Sequence, residues 1–516
     1  MNHKSRTENT IKNMKFAFAC QILSTLFSFF CRTIFIKKLG AEYLGLNGLF
    51  TNILTILSFA ELGIGDAIIF SMYKPIAEDN KEKIKSLLNL YKKAYIRIGS
   101  VIMIIGVALA PFIKYIIADA PQIHESITII YLMYVFNTAS SYFFIYRQSI
   151  ITANQKAYII TFYSTVYLLI INVLQIIGLL VFSNFYLYLG IQICVTFLGN
   201  GFISYKSKKM YPYTTEKNIE KLSKKEIEDI STNIISLFVY KAGSVVLNGT
   251  DNILISALIG VKTVGICSNY LLIISTVNTI MSKIRSAFAA SVGNLNATES
   301  PYKKKKIFEK LFFGFGWLYG LFAVGLFCLG NEAVSLWLGS EYVITDMTLL
   351  ALVINFYVMG VHYPAFLFRT TLGLFKDGRI APIIASIVNV VLSIVLAQYL
   401  GVVGIFIATP IARILGMGMF DPILVYKKGF NSNFIEYYRV YLKYAILDSA
   451  ICFLCKYLVG LLNITNIFTL VLGVLIVFLT YNTLRFIFSI KNEQFWELMS
   501  YLKKYIRRKN HDENCS

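Results

Sequence analysis

The stretch SFFCRTIFIKKLGAEYLGLNGLF, Ser28 to Phe50, places Arg32 in a run otherwise apolar or small. A charged side chain inside a membrane-length segment is costly and marks a cavity, a partner or a pathway. Lys241 in SLFVYKAGSVV, Arg413 in TPIARILG and Lys456 in the segment CFLCKYLVG stand in similar surroundings. A guanidinium offers forked donors that match phosphate, so anion recognition is the chemistry this residue set suggests. Arg32, Lys241 and Arg413 are the expected cavity cations. For Arg32 a second reading stays open, because it sits near the outer end of its span and could snorkel to the headgroups. Lys241 has the same alternative toward the inner side. Pro410 is expected to loosen the helix around Arg413. Lys456 and Asp448 fall in one late span and are read as structural.

Two acids, Glu61 and Asp66, occur in FAELGIGDAII with glycines between them. Proton- or sodium-driven transport needs membrane carboxylates, so an ion site is one reading. A helix bend with the acids at its mouth is the other. No other cofactor is suggested. Enzyme chemistry finds little support. The four histidines, His3, His124, His362 and His511, include no pair at metal-ligand spacing, and no catalytic constellation or metal site is expected. No glycine-rich loop ends in Lys-Ser/Thr, so the chain is not expected to hydrolyse ATP. Cys452 and Cys455 form CxxC inside an apolar segment and read as small buried side chains.

These residues must be positioned by membrane helices. Hydrophobic residues make up 56% of the 516 and charged residues 15%, with mean hydropathy +0.63, which excludes a soluble globular or disordered chain. The apolar runs are too long and continuous for a β-barrel. About 20 apolar residues cross a bilayer, and that ruler gives about fourteen spans. They are 15–36, 47–72, 95–117, 127–151, 158–182, 186–205, 232–258, 264–290, 311–330, 345–370, 380–400, 402–425, 441–462 and 465–488. The net charge of +21 comes from Lys and Arg in short loops, not from a basic domain, so nucleic acid is not an expected partner. With the N-terminus inside, nearly all Lys and Arg face the cytoplasm and only Lys37, Lys38, Lys114 and Lys262 face out. Both termini are therefore expected in the cytoplasm, and no cleaved leader is evident. Ile84, Leu87, Leu88 and Tyr91 share a helical face in KEKIKSLLNLYKKAY, as do Phe495, Leu498, Met499, Leu502, Tyr505 and Ile506 in the tail. Both are expected to lie on the anionic leaflet.

A repeat organises the chain. LGAEYLG after the first span matches IGVKTVG after the seventh, placing Gly40 on Gly260 and Gly45 on Gly265. Each glycine pair is expected to form a tight outer hairpin. Six spans separate equivalent points, so the repeat is parallel, with its axis along the membrane normal. The expectation is an all-α polytopic membrane protein. Residues 1–205 form one six-helix lobe, 206–230 a cytoplasmic linker and 231–425 a second six-helix lobe. Residues 426–490 hold two further spans, and 491–516 a basic amphipathic tail. The same register sets Asp251 opposite Cys31, which suggests an Arg32–Asp251 pair that closes the outer side in one state.

The segment LGAEYLGLNGLFTNILTILSFAELGIGDAIIFSMYKPIAEDN, residues 39–80, closely resembles the start of bacterial polysaccharide-transport flippases. Their superfamily also holds multidrug and toxin extrusion (MATE) transporters and lipid II flippases. The resemblance implies a V-shaped pair of lobes in the bacterial inner membrane. It implies translocation of an oligosaccharide repeat unit on undecaprenyl pyrophosphate, for O-antigen or capsule. It also implies polysaccharide polymerase and chain-length proteins as partners beside the bilayer and the lipid-linked substrate. On this reading Arg32, Lys241 and Arg413 meet pyrophosphate or acidic sugar. Arg147, Arg285 and Arg369, near cytoplasmic ends, receive the pyrophosphate at the entrance or merely anchor the helices. A MATE-like cation-coupled drug exporter and a non-transporting scaffold of a glycan-assembly complex are the alternatives.

Overall fold

The computed structural model describes residues 3–61, 64–119, 121–216, 220, 222–497 and 500. Within its helices the side chains of 3–18 and of a few single positions, Asp66 among them, lie outside the described set. The described residues form helices joined by turns and short loops, with no strand. Eleven of their helices are long and apolar enough to cross a membrane. The other expected spans fall on 47–72, 232–258 and 441–462. The first two are broken helices, and the third carries Asp448 and Lys456.

Contacts divide the chain into Met1–Ser268 and Asn269–Ser516. The first unit contains α1 (His3–Leu39), α2 (Ala41–Leu57), α3 (Ile64–Ala77), α4 (Lys81–Leu109) and α5 (Ile127–Ile145). It continues with α6 (Gln148–Ala153), α7 (Ala157–Phe182), α8 (Phe185–Met210), α9 (Lys224–Gly249), α10 (Asp251–Leu258) and the start of α11 (Val261–Thr298). α1 packs on α7, α5 on α4 and α8, and α9 on α2 and α3. The second unit holds the rest of α11, α12 (Pro301–Leu338), α13 (Asp346–Thr371), α14 (Phe375–Gly378), α15 (Ala381–Leu400), α16 (Val402–Arg413), α17 (Met419–Leu424), α18 (Ile435–Gly460) and α19 (Ile467–Ser489). There α12 packs on α13, α18 and α19, and α16 on α13 and α15. In this division α9 and α10 join the first unit, since α9 packs on α2 and α3 and α10 on α2.

Local signals set the helix ends. Asn80 caps α4 by accepting from the Lys83 N–H, Asn184 caps α8, and Ser223 with Glu226 forms a reciprocal capping box on α9. Gly40 and Gly260 both adopt positive φ, 90° and 138°, and turn the chain as their matched positions require. Gly45 and Gly265 do something else. Both lie inside helices, where α2 and α11 cross. A Cβ at Gly45 would fall on the Val261 carbonyl, and one at Gly265 on the Ala41 carbonyl. Ala41 and Val261 are themselves repeat mates, so the contact is reciprocal. The same holds one turn further on. Arg32 on α1 meets Ser268, while its mate Asn252 lies over Gly48, the mate of Ser268. The register read from two heptapeptides is thus repeated in the packing of the helices.

Two expectations about amphipathic segments are corrected. Ile84, Leu87, Leu88 and Tyr91 are buried in the protein core, continuous with the α4 span, and do not lie on the leaflet. The linker covers them. Lys85, 4% exposed, pairs with Glu216 at 2.8 Å and Glu82 at 2.6 Å, and Ser86 donates to the Glu220 carbonyl. Phe495 is likewise buried, stacked on Trp317 with centroids 5.9 Å apart. Glu497 is held by Lys306 and Lys310, which draw its carboxyl below the ordinary range. The remaining tail residues of that expectation lie outside the described residues. A half-polar helix can bury its apolar stripe against protein as well as lipid, and periodicity does not separate the two.

Candidate functional site

In the first unit the candidate site begins at Arg32. Its half-buried guanidinium donates to the Ser268 hydroxyl. Beside it, the Cys31 thiol approaches Gln175 Oε1 at 3.8 Å, and Gln175 donates to the Tyr188 carbonyl at 3.0 Å. Gln175 is 2% exposed, so this wall is polar and enclosed.

A second feature of that unit is a cavity of about 410 Å³ between α2 and α5. Its lining includes Asn47, Thr51, Thr55, Glu61, Tyr134 and Asn137. Ser58 and Glu61 of its lining come from the irregular end of the α2 span. α2 ends at Leu57, a 3-10 turn carries Ser58–Glu61, and α3 begins at Ile64. The break aims Glu61 sideways, where Tyr95 donates to one carboxylate oxygen at 2.8 Å and Tyr142 to the other at 2.5 Å. Gly65 makes room for this arrangement, since a Cβ there would stand 2.7 Å from the Tyr91 hydroxyl and 3.0 Å from that of Tyr95. Glu61 thus ends a 3-10 turn with its carboxylate placed by tyrosines of two other helices. Asp66 is in α3, with its side chain outside the described set. Lys241 on α9 and Asp251 at the start of α10 are both half-buried. Arg147 joins α5 to α6, with its guanidinium 5.1 Å from the Tyr146 ring centre and one terminal nitrogen buried without a hydrogen bond.

In the second unit Arg285 donates to the Tyr319 hydroxyl at 2.6 Å and stacks on Tyr363. Arg413 ends α16 and donates to Asn355 Oδ1 at 2.7 Å. The helix runs through Pro410, and its irregularity comes just after Arg413, as a π segment over 414–418. Arg369 is 2% exposed, its Nε 2.9 Å from Asp421 Oδ1. That pair is close in distance but poorly aligned for a hydrogen bond, so charge holds it. His362 Nε2 lies 3.3 Å from the other Asp421 oxygen and 3.0 Å from the Met417 carbonyl in the π segment. Arg369 thus spends its charge inside the unit. Asp448 and Lys456 have separate partners. Lys456 lies 3.5 Å from Glu332, and Asp448 pairs with the fully buried Arg485 at 3.2 Å while accepting from Tyr357 and Tyr481.

Arg485, Asp421 and the tyrosines around Glu61 were not singled out from the sequence. An aspartate within GMGMFDPIL was a readable signal for Asp421. Arg485 counted there as a basic residue of the tail, since nothing local distinguishes a buried arginine from an anchoring one. Among the described residues no group of His, Cys, Asp and Glu could hold a metal ion.

No family model and no curated protein matches the chain. Solved structures do. The lipid II flippase MurJ in an inward closed conformation superposes with TM-score 0.62 at 18% identity, covering 93% of this chain and 99% of that one. An inward-facing multidrug resistance MATE family transporter of the MOP superfamily gives TM-score 0.60 at 13% identity, with 85% and 98% covered. A MOP superfamily transporter from Pyrococcus furiosus gives 0.51 at 14%, with 81% and 95% covered. The chain has the fold of these multi-pass membrane proteins.

Proposed function

We propose that the protein is a flippase. It would carry an undecaprenyl-pyrophosphate-linked oligosaccharide repeat unit across the bacterial plasma membrane by alternating access, for surface polysaccharide synthesis. The observation that carries this reading is Arg32, a cation inside a membrane span set on a hydroxyl and amide surface. A lipid-linked pyrophosphate must be screened from hydrocarbon while its tail stays in lipid, and a guanidinium on a polar wall suits that task. Lys241 and Arg413 extend the cationic set, and Arg147 and Arg285 supply cations for the intake side. The MOP-type fold, shared with a lipid II flippase, supports transport over catalysis. Glycan polymerase and chain-length proteins are the partners such a substrate would meet.

The test is a deletion strain whose lipid-linked intermediates are extracted and weighed by mass spectrometry. The expected result is accumulation of undecaprenyl-pyrophosphate oligosaccharide facing the cytoplasm, reversed by the intact gene. A second reading, a cation-coupled drug exporter, is favoured by one observation, the Glu61 carboxylate in a cavity between helices of the first unit. New sensitivity to cationic drugs with no lipid accumulation would select it.

A further inference from the structure

The cavity between α2 and α5 is the least explained feature of the first unit. Of its lining side chains, all but Leu54 and Val245 carry a hydroxyl, amide or carboxylate group, and apolar carbon of the same residues lies between these groups. That mixture suits a ligand with both hydroxyls and C–H faces. Its hydrogen-bonding state is specific. The Thr55 hydroxyl donates to the Thr51 carbonyl and Ser58 to the Leu54 carbonyl, each at 2.8 Å. Tyr134 donates to Asn47 Oδ1 at 2.8 Å, and Thr51 to the same oxygen at 3.4 Å. The protons of these hydroxyls are committed within the protein, which leaves their oxygens to a ligand as acceptors. Asn137 Oδ1 is buried with no partner. Glu61 adds a carboxylate fixed by two tyrosines. The side-chain amides of Asn47, Asn137 and Gln192 supply the donors.

We infer that this cavity is a subsite for a neutral, hydroxyl-rich sugar of the transported glycan, and that Glu61 makes it reject an acidic sugar. An acceptor-rich wall with a few amide donors complements a ring of hydroxyls, each able to donate and accept. A carboxylate held in a membrane interior repels a second one brought beside it. A cation site is the poorer fit, because both oxygens of the one carboxylate already receive tyrosine protons. The inference rests on the transport reading, with Arg32 taking the pyrophosphate and this cavity the first sugars.

The experiment uses the full chain in nanodiscs and measures binding of three lipids. These are bare undecaprenyl pyrophosphate, the same lipid bearing N-acetylglucosamine, and the same lipid bearing galacturonic acid. The sugar-bearing neutral lipid should bind about tenfold tighter than the bare one, as a pair of good hydrogen bonds would give. The galacturonic acid lipid should bind no better than the bare one. Thr51→Val with Asn137→Leu should erase the neutral increment and leave bare-lipid binding intact. Glu61→Gln, checked for folding by its melting temperature, should restore binding of the acidic lipid. Bare-lipid binding with no increment for the neutral sugar would overturn the subsite and leave the flippase reading standing. A sodium- or proton-dependent stabilisation that Glu61→Gln removes, without any sugar effect, would overturn it in favour of a coupling site. Failure of all three lipids to bind would end both readings.

Discussion

Two sets of charges, one set in each unit, are held differently. In the first, Arg32 rests on a serine hydroxyl and Glu61 on two tyrosine hydroxyls. In the second, Arg369 faces Asp421 and Arg485 faces Asp448, all of them nearly inaccessible. A buried ion pair neutralises its own charges and holds helices together. A charge contacted by hydroxyls can exchange those hydrogen bonds for a ligand's. We read the second set as organising the fold and the first as the substrate-facing set.

The strongest way to break this comparison is to remove one partner of a buried pair. Arg485→Ala leaves Asp448 uncompensated and should cost about 3–5 kcal/mol, read as a large drop in thermal stability in detergent. Replacing both, as Arg485→Met with Asp448→Leu, should recover much of that loss. Arg32→Ala should do the reverse, leaving protein level and melting temperature near wild type. Export should fall by about 10- to 100-fold, the loss of a charge-assisted phosphate contact, and Arg32→Lys should restore part of it. If Arg32→Ala melts as early as Arg485→Ala, the two classes are one, and Arg32 is an anchor.

A smaller effect sharpens the contrast from the backbone side. Gly45→Ala places a methyl on the Val261 carbonyl and should destabilise the first unit by about 1–3 kcal/mol, with Gly265→Ala matching it because the crossing is reciprocal. The smallest concerns Glu226, outside the membrane spans. The Lys83 ammonium, together with the Ser223 cap, holds its carboxyl down at about 2, against an ordinary value of 4.5. A depressed carboxylate contributes stability that is complete above the ordinary value and is lost as pH falls through the folded one. An acid titration of melting temperature should therefore show this contribution fading between about pH 4.5 and 2. Glu226→Gln should remove it at neutral pH at a cost under about 1 kcal/mol, as both groups are partly solvated.

Much of the fold was legible in the chain itself. Hydropathy over a bilayer-length window marks the long helices, because lipid leaves the backbone no alternative to internal hydrogen bonding. The two glycine heptapeptides fixed the register of the repeat, and Gly40 and Gly260 turn where they must, since only glycine adopts that φ without strain. The presence of Arg32, Glu61 and Arg413 in apolar segments was equally plain. What each charge does was not. Whether an arginine meets a hydroxyl, as Arg32 does, or a carboxylate far away in sequence, as Arg485 and Arg369 do, depends on which helix faces pack together. The sideways aim of Glu61 follows from a helix break whose tyrosine partners come from α4 and α5. The apolar stripes of residues 81–91 and of Phe495 meet protein and not lipid for the same reason. Composition and period determine that a segment must be buried. Only the tertiary structure decides against what, because that choice is made by contacts between residues far apart in the chain.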